Sequence, residues 1–229
     1  MSDHPPRLSI VVPALDEAAT LPGLLAHLQP LRQRGCELIV VDGGSVDGSA
    51  ALARAGSDQV VQAARGRASQ MNAGAAVASG DVLLFLHADT RLPPQADRLV
   101  QQALADAGHL WGRFDVQIDG HDRCLPVVAA LMNRRSRWTG IATGDQAMFV
   151  RRDVFERLGG FAPQPLMEDI ELSRRLRALG APACLRPPVV TSGRRWDTRG
   201  VWRTIFLMWR LRWRYWRGES PESLAQAYR

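Results

Sequence analysis

Acidic side chains recur in this sequence where runs of apolar residues stop. Residues 82–86 lead into His87, Ala88, Asp89 and Thr90; residues 36–41 end at Asp42, Gly43, Gly44 and Ser45; and residues 8–12 are soon followed by Asp16 and Glu17. A His-x-Asp pair offers an imidazole nitrogen and hard carboxylate oxygens, a donor set able to hold a divalent cation. It also suits a plain turn in which Asp89 caps local backbone before Pro93 and Pro94 start a helix. Asp42 can accept from a ring N–H or a ribose hydroxyl, or can close a tight turn, and Asp47 can cap a helix. Converging carboxylates in a chain of net charge +6 suit nucleoside hydroxyls and bases plus a metal better than they suit an anion.

The complementary charge lies in Arg65-Gly66-Arg67 and the segment that follows, through Asn72 to Gly74. Gly66 permits close backbone approach, and the two guanidinium forks precede a helix N-terminus that itself favours anions. This is a candidate diphosphate grip; a solvated basic turn is the plainer reading. Neither GxxxxGK[ST] nor GxGxxG is present. Further on, Met167-Glu168-Asp169 opens a helix with Leu172, Leu176 and Leu179 on one stripe and Gly180 as its stop. Acids in a first turn ordinarily complement the helix dipole. Gly144-Asp145-Gln146 reads as a polar turn before a strand at 147–150.

Strands at 8–12, 36–41, 58–62 and 82–86 alternate with helices at 14–31, from about 47, and 68–78, which predicts a parallel sheet with right-handed crossovers. A helix at 94–107 and an extended segment at 109–118 follow, and residues 121–138 read as a loop. Such strands deliver their carboxyl ends, and hence the acids, to one edge, where open α/β sheets bind ligands. A length of 229 residues suits one compact domain plus a tail.

Composition narrows the chemistry. All 29 basic residues are Arg, which excludes a Schiff base or a lysine nucleophile and supplies planar donors for phosphate or carboxylate. Three separated cysteines, Cys36, Cys124 and Cys184, read as buried thiols of a reducing compartment. No signal sequence is evident, and the longest apolar run outside the tail, 127–132, is far short of the ~20 residues of a spanning helix. A cytoplasmic protein is expected.

The runs SIVVPALDEAATL, VVDGGSVDGS, RGRASQMNAGA, GDVLLFLHADT, TGDQAMFVRRDVFERLGGF, LMEDIELSRRLRALG and SGRRW, in this order, resemble family-2 glycosyltransferases of the GT-A fold over most of the chain. Within the family the likeness is to small bacterial enzymes associated with arsenosugar biosynthesis. The resemblance implies an α/β GT-A domain over 1–190, with a Rossmann-like nucleotide-sugar half at 7–92, an acceptor and catalytic half at 93–190, and a tail at 191–229. It implies donor contacts from Glu17, Asp42, Arg67 and Asn72, a metal-binding acid in Asp89, and a catalytic base in Asp169. Gly144, Asp145, Glu168, Arg195 and Trp196 fall on the acceptor side. The activity implied is inverting, Mn2+- or Mg2+-assisted transfer from a UDP- or GDP-sugar to an acceptor hydroxyl. His87 departs from the pattern, standing where the family has the first acid of Asp-x-Asp; it is a nitrogen ligand, a sugar contact, or the mark of a weaker metal site. That departure leaves open a non-catalytic nucleotide-sugar-binding or scaffold protein. A nucleotidyltransferase would need a Gly-rich N-terminal loop, which PALDEAATL does not offer.

The tail is read separately. From Arg195 to Arg217 it carries Trp196, Trp202, Trp209, Trp213 and Trp216. On a helical projection Arg199, Arg203, Arg210, Arg214 and Arg217 form one stripe, with the aromatics other than Trp196 and the leucines elsewhere. An amphipathic C-terminal helix of this kind suits an anionic inner membrane face, where the acceptor would be lipid-linked. The alternative is packing across the domain with Arg stems over apolar surface; a nucleic-acid partner is not expected.

Overall fold

In a computed structural model, residues 6–105 and 108–228 are described. The chain runs β1 (Leu8–Ala14), α1 (Leu21–Gln33), β2 (Glu37–Asp42), α2 (Ser49–Gly56), β3 (Gln59–Gln62), α3 (Arg67–Val77), β4 (Val82–Phe85), β5 (Thr90–Arg91) and α4 (Ala96–Ala105). It continues through β6 (Trp111–Asp119), α5 (Leu125–Thr139), a 3-10 turn (Gly144–Gln146), β7 (Phe149–Arg151), α6 (Arg152–Arg157), α7 (Glu168–Leu179), β8 (Ala183–Ser192), α8 (Arg194–Arg199), α9 (Val201–Trp216) and α10 (Pro221–Tyr228). The end of the helix expected at 94–107 lies outside the described residues.

One eight-stranded sheet has the order β3-β2-β1-β4-β7-β6-β8-β5. β1 pairs in parallel with β2 and β4, and β2 with β3. Past β4 the sheet becomes mixed: β7 is antiparallel to both β4 and β6. The sequences LSIVVPA, ELIVVD and VLLF are apolar almost throughout because both their faces are covered. Alternate residues point to opposite sides. Ile10, Val12, Leu38, Val40 and Leu84 pack with Leu21, Leu24 and Leu28 of α1 and Val100 of α4. Val11, Ile39, Val41, Leu83 and Phe85 pack with Met71 and Ala75 of α3 and Leu172 and Leu176 of α7. Gly74 lets α3 settle on the sheet, since a Cβ there would stand 2.4 Å from Val11 Cγ1.

Five expectations need correction. Residues 121–138 are not a loop: Leu125–Thr139 is a helix with Pro at its start and Gly140 in the left-handed conformation after its end. The tail is not one helix, because Gly200, at φ 82°, divides α8 from α9. Within α9 the aliphatic residues and the tryptophans do not share a face; Leu211 is fully buried while Trp209 is exposed. Only Cys36 among the three free thiols is buried, and burial pushes it up to about 11. On α7, Leu172 and Leu176 are buried as expected but Leu179 is half exposed.

Candidate functional site

The parallel strands β1, β2 and β4 end at one edge of the sheet, and β7, being antiparallel to β4, begins there. The loops after β1, β2 and β4 therefore meet the turn before β7. The loops after β1 and β2 are stitched together. Asp16 N–H donates to Ser45 Oγ (3.0 Å), Glu17 N–H to Ser49 Oγ (2.8 Å) and Ala18 N–H to Asp47 Oδ2 (2.9 Å). Glu17 Oε2 accepts from Thr20 Oγ1 at 2.7 Å. Asp42 is buried and accepts from the amides of Gly44 and Ser45, so it does close its own turn.

The centre is formed by His87, Gly144, Asp145, Glu168 and Asp169. His87 Nδ1 lies 3.5 Å from Asp145 Oδ1. Its Nε2 lies over Gly144, where a Cβ would come within 2.5 Å. Behind Gly144, the backbone N–H donates to Asp169 Oδ2 at 2.8 Å. Glycine is thus the spacer between imidazole and carboxylate. Met71, Phe85, Met148 and Phe161 supply an apolar floor, and the residual cavity of ≈10 Å³ holds about one water.

The carboxyls here are shifted in opposite directions. Burial pushes the carboxyl of Glu168 above its ordinary range, with the neighbouring Asp169 adding to the rise and Arg67 opposing it. Burial likewise raises Asp169, against the pull of the Gly144 and Ile170 amides and of Arg67. Arg67, the first residue of α3, brings Nη1 to 3.8 Å from Glu168 Oε1. Asp145 moves the other way: its partial burial is outweighed by the His87 contact and by Arg67 and Arg195, which hold it low. One edge thus carries a carboxylate that stays charged and a pair that resists ionisation, the separation of roles that acid–base chemistry needs.

The strained backbone clusters at the same place. Asp16 (φ 54°), Ala147 (φ 44°) and Met167 (φ 67°) have left-handed φ values, and each adjoins or flanks a candidate residue. Strain of this kind persists where packing over-determines it, typically at functional sites.

Arg195 on α8 is exposed, stacks 4.8 Å over the Tyr228 ring, and interacts through its charge with Asp145 and Asp89. Trp196 packs partly against Ile118, Leu125 and Val128. Asp89, between β4 and β5, is tied down through its backbone: its carbonyl accepts from Ser192 N–H at 3.2 Å. Among the described residues no three His, Cys, Asp or Glu side chains converge as a metal site. Two protein donors, His87 and Asp89, fit a hard cation that takes the rest of its shell from phosphate oxygens and water. They do not form a self-sufficient cage. With His87 committed to Asp145, Asp89 is the surer donor.

Asn72 bonds to the 159–161 turn. Its Nδ2 donates to the Phe161 carbonyl and its Oδ1 accepts from the Phe161 N–H, both at 2.9 Å. These two bonds pin the 159–161 turn to α3 and leave one N–H and one lone pair of the amide over. A residue that sequence reasoning missed is Arg135. Its Nε and Nη2 are buried without a hydrogen-bond partner, and burial depresses its guanidinium while the charges of Asp169 and Asp145 pull it back up. The only signal was a cluster of arginines at 134–137, which has no direction until α5 is recognised as a helix.

A family model described as glycosyl transferase family 2 matches residues 9–159, the stretch that carries the sheet edge, His87, Asp89 and Gly144–Gln146. The chain belongs to this family. It is 28% identical to a probable glycosyltransferase, YdaM, of Bacillus subtilis (strain 168), over 94% of this chain and 56% of that protein. It is 29% identical to an undecaprenyl-phosphate 4-deoxy-4-formamido-L-arabinose transferase of Pseudomonas paraeruginosa, over 63% and 46%. The chain thus spans about half the length of these curated relatives. Among solved structures it resembles a mannosyltransferase of Pyrobaculum calidifontis in complex with GDP-Man and Mn2+ (TM-score 0.62, 23% identity, 83% of this chain and 57% of that one). It also resembles glucosyl-3-phosphoglycerate synthase of Mycobacterium tuberculosis in complex with Mg2+ and UDP (TM-score 0.60, 27% identity, 80% and 70%). The fold is the α/β GT-A fold, with a mixed, mostly parallel sheet flanked by helices.

Proposed function

We propose that the chain is an inverting glycosyltransferase that moves a sugar, of hexose type, from a UDP- or GDP-sugar to an acceptor hydroxyl. Residues 7–92 hold the donor and residues 93–190 the acceptor. The observation that carries this reading is Asp169: a carboxylate with a raised pKa, fixed by the Gly144 amide, beside Glu168 and on the same edge as His87 and Asp89. In this reading the acceptor O–H gives its proton to Asp169 while its oxygen bonds to the anomeric carbon. The bond from that carbon to the diphosphate oxygen breaks on the opposite face, and the nucleoside diphosphate leaves. Arg67 lies near the phosphates and Glu17 and Asp42 near the nucleoside. Mn2+ or Mg2+ held by Asp89, with His87, would supply Lewis-acid stabilisation of the leaving diphosphate.

The acceptor side is formed by Gly144, Asp145, Glu168, Arg195 and Trp196. A lipid-linked hydroxyl at the inner face of an anionic membrane is one acceptor class; the exposed tryptophans of α9 and the undecaprenyl-phosphate named for one relative support it. Small arsenosugar precursors are the other class to screen. Asp169→Asn is expected to lower turnover by about 10²–10⁴-fold with an unchanged circular dichroism spectrum, and wild-type turnover in that variant would remove the proposed base. A thermal-shift screen of nucleoside diphosphates and their sugars, with and without metal, identifies the donor.

One observation favours a second reading, a nucleotide-sugar-binding or scaffold protein without turnover: His87 is paired with Asp145 in place of an acid facing the metal. Donor binding by calorimetry that ignores metal, with no turnover of any donor, would support it.

A further inference from the structure

The helix α9 presents three distinct sides. Val201, Thr204 and Leu211 are buried, and Leu211 meets Leu166, Met167 and Leu224 of α10. Trp202, Phe206, Trp209, Trp213 and Trp216, spaced four, three, four and three apart, form an outward stripe, each 57% to 81% exposed. Between these two sides runs an edge with Arg203 and Arg210, seven residues and so two turns apart. Both are exposed, and among the described residues neither makes an ion pair.

This edge borders a groove of ≈570 Å³ lined by Arg199, Arg203, Thr204, Phe206, Leu207, Arg210, Ala227 and Tyr228. Arg199 closes one end and donates to the Tyr228 carbonyl at 3.1 Å. The volume lies within the range of small-ligand pockets, ~300–1,000 Å³. Its chemistry is three guanidinium groups, one of them already bonded to the Tyr228 carbonyl, over an apolar and aromatic floor, suited to a phosphate with an apolar neighbour.

We propose that this groove is a headgroup site for an anionic bilayer phospholipid, with the Trp stripe beside it bedded in the interfacial layer. Charge complementarity selects this occupant. Residues 194–217 hold eight arginines against one acid, Asp197, so a second copy would bring like charges face to face, whereas an anionic leaflet offsets them. Tryptophan is the side chain that settles at headgroup depth, and here arginines flank it at the height where phosphates lie. The inference rests on the membrane-facing part of the proposed function and adds a defined site to it.

Flotation of the full chain with vesicles of phosphatidylcholine, alone or mixed with phosphatidylglycerol, tests it. Arg203→Gln/Arg210→Gln is expected to weaken binding to the mixed vesicles by roughly 10- to 30-fold and leave binding to phosphatidylcholine unchanged. Arg212→Gln/Arg217→Gln removes the same charge from the same helix outside the groove and is expected to lose only a few-fold. Short-chain dihexanoyl phosphatidylglycerol should compete and inorganic phosphate should not. Equal losses from the two pairs would mean diffuse attraction and would overturn the site while leaving membrane binding intact. Competition by inorganic phosphate alone would overturn the lipid as its ligand. Failure of the wild-type chain to float with either vesicle, or a dimer in its place, would overturn both the site and the membrane reading. Arg203, Arg210 and Arg217 are exposed and Arg212 is half-buried, and equal melting temperatures would certify the folds.

Discussion

Glu168 and Asp169 are adjacent acids that the fold makes hard to ionise together. For Glu168 the consequence is a pH-dependent cost. In the unfolded chain it titrates near ~4.3, and in the fold higher, so the folded state loses stability as pH rises through the unfolded value and has paid in full above the folded one. Glu168→Gln should therefore raise the melting temperature at pH 8 and leave it unchanged at pH 3; the weak, part-exposed contact with Arg67 subtracts little from the gain. For Asp169 the consequence falls on activity. If Asp169 is the proposed base it must be deprotonated, so kcat/KM should rise with pH through a midpoint above the usual Asp value of ~3.9. Arg67 favours both anions, and Arg67→Met should move that midpoint further up, which a pH–rate profile would measure.

At the level of elements, α9 separates what holds the fold from what faces outward. Leu211→Ala should cost about 2–5 kcal/mol, and Trp209→Ala about 0.5 kcal/mol or less, in urea unfolding. The sequence showed the aromatic and basic content of this segment, but its three-sided distribution depends on α10 and on Leu166 and Met167, which no periodicity reveals. The same reasoning explains which other elements were legible. The strands β1, β2 and β4 read clearly because burial on both faces leaves an unbroken apolar run. β8 did not, because Pro187 and Pro188 argue against a strand; the fold absorbs them in a register shift, Phe114 pairing with Leu185 and Asp115 with Pro188. α5 was hidden because Val127, Leu131 and Trp138 are exposed, which blurs its apolar stripe. At the site, the acids at strand ends could be read from spacing, whereas Arg135 and the Phe161 duty of Asn72 belong to contacts made far along the chain.

Across the whole molecule, the C-terminal helices reach back to the site. Tyr228, in the last described turn, stacks on Arg195; Tyr228→Ala removes a contact of about 0.5–1 kcal/mol and should lower kcat/KM by about 2- to 5-fold without changing the circular dichroism spectrum. A comparable dependence at long range governs Asp89. The strand next to it, β5, has two residues and finds its partner in β8, with Thr90 opposite Thr191 and Arg91 opposite Val190. Thr90 Oγ1 donates to Thr191 Oγ1 at 3.0 Å, and Ser192 N–H reaches the Asp89 carbonyl. The pairings of β1 with β2 and of β2 with β3 join residues such as Ser9 and Glu37 or Ile39 and Gln59, far nearer in sequence than Thr90 and Thr191, and so can close earlier. Asp89 must wait for residues a hundred positions later. On a growing chain the loops after β1 and β2 would be assembled before the backbone of Asp89 is fixed, so a nascent chain that ends before Ser192 would hold its first strands while the proposed cation ligand still lacks its anchor.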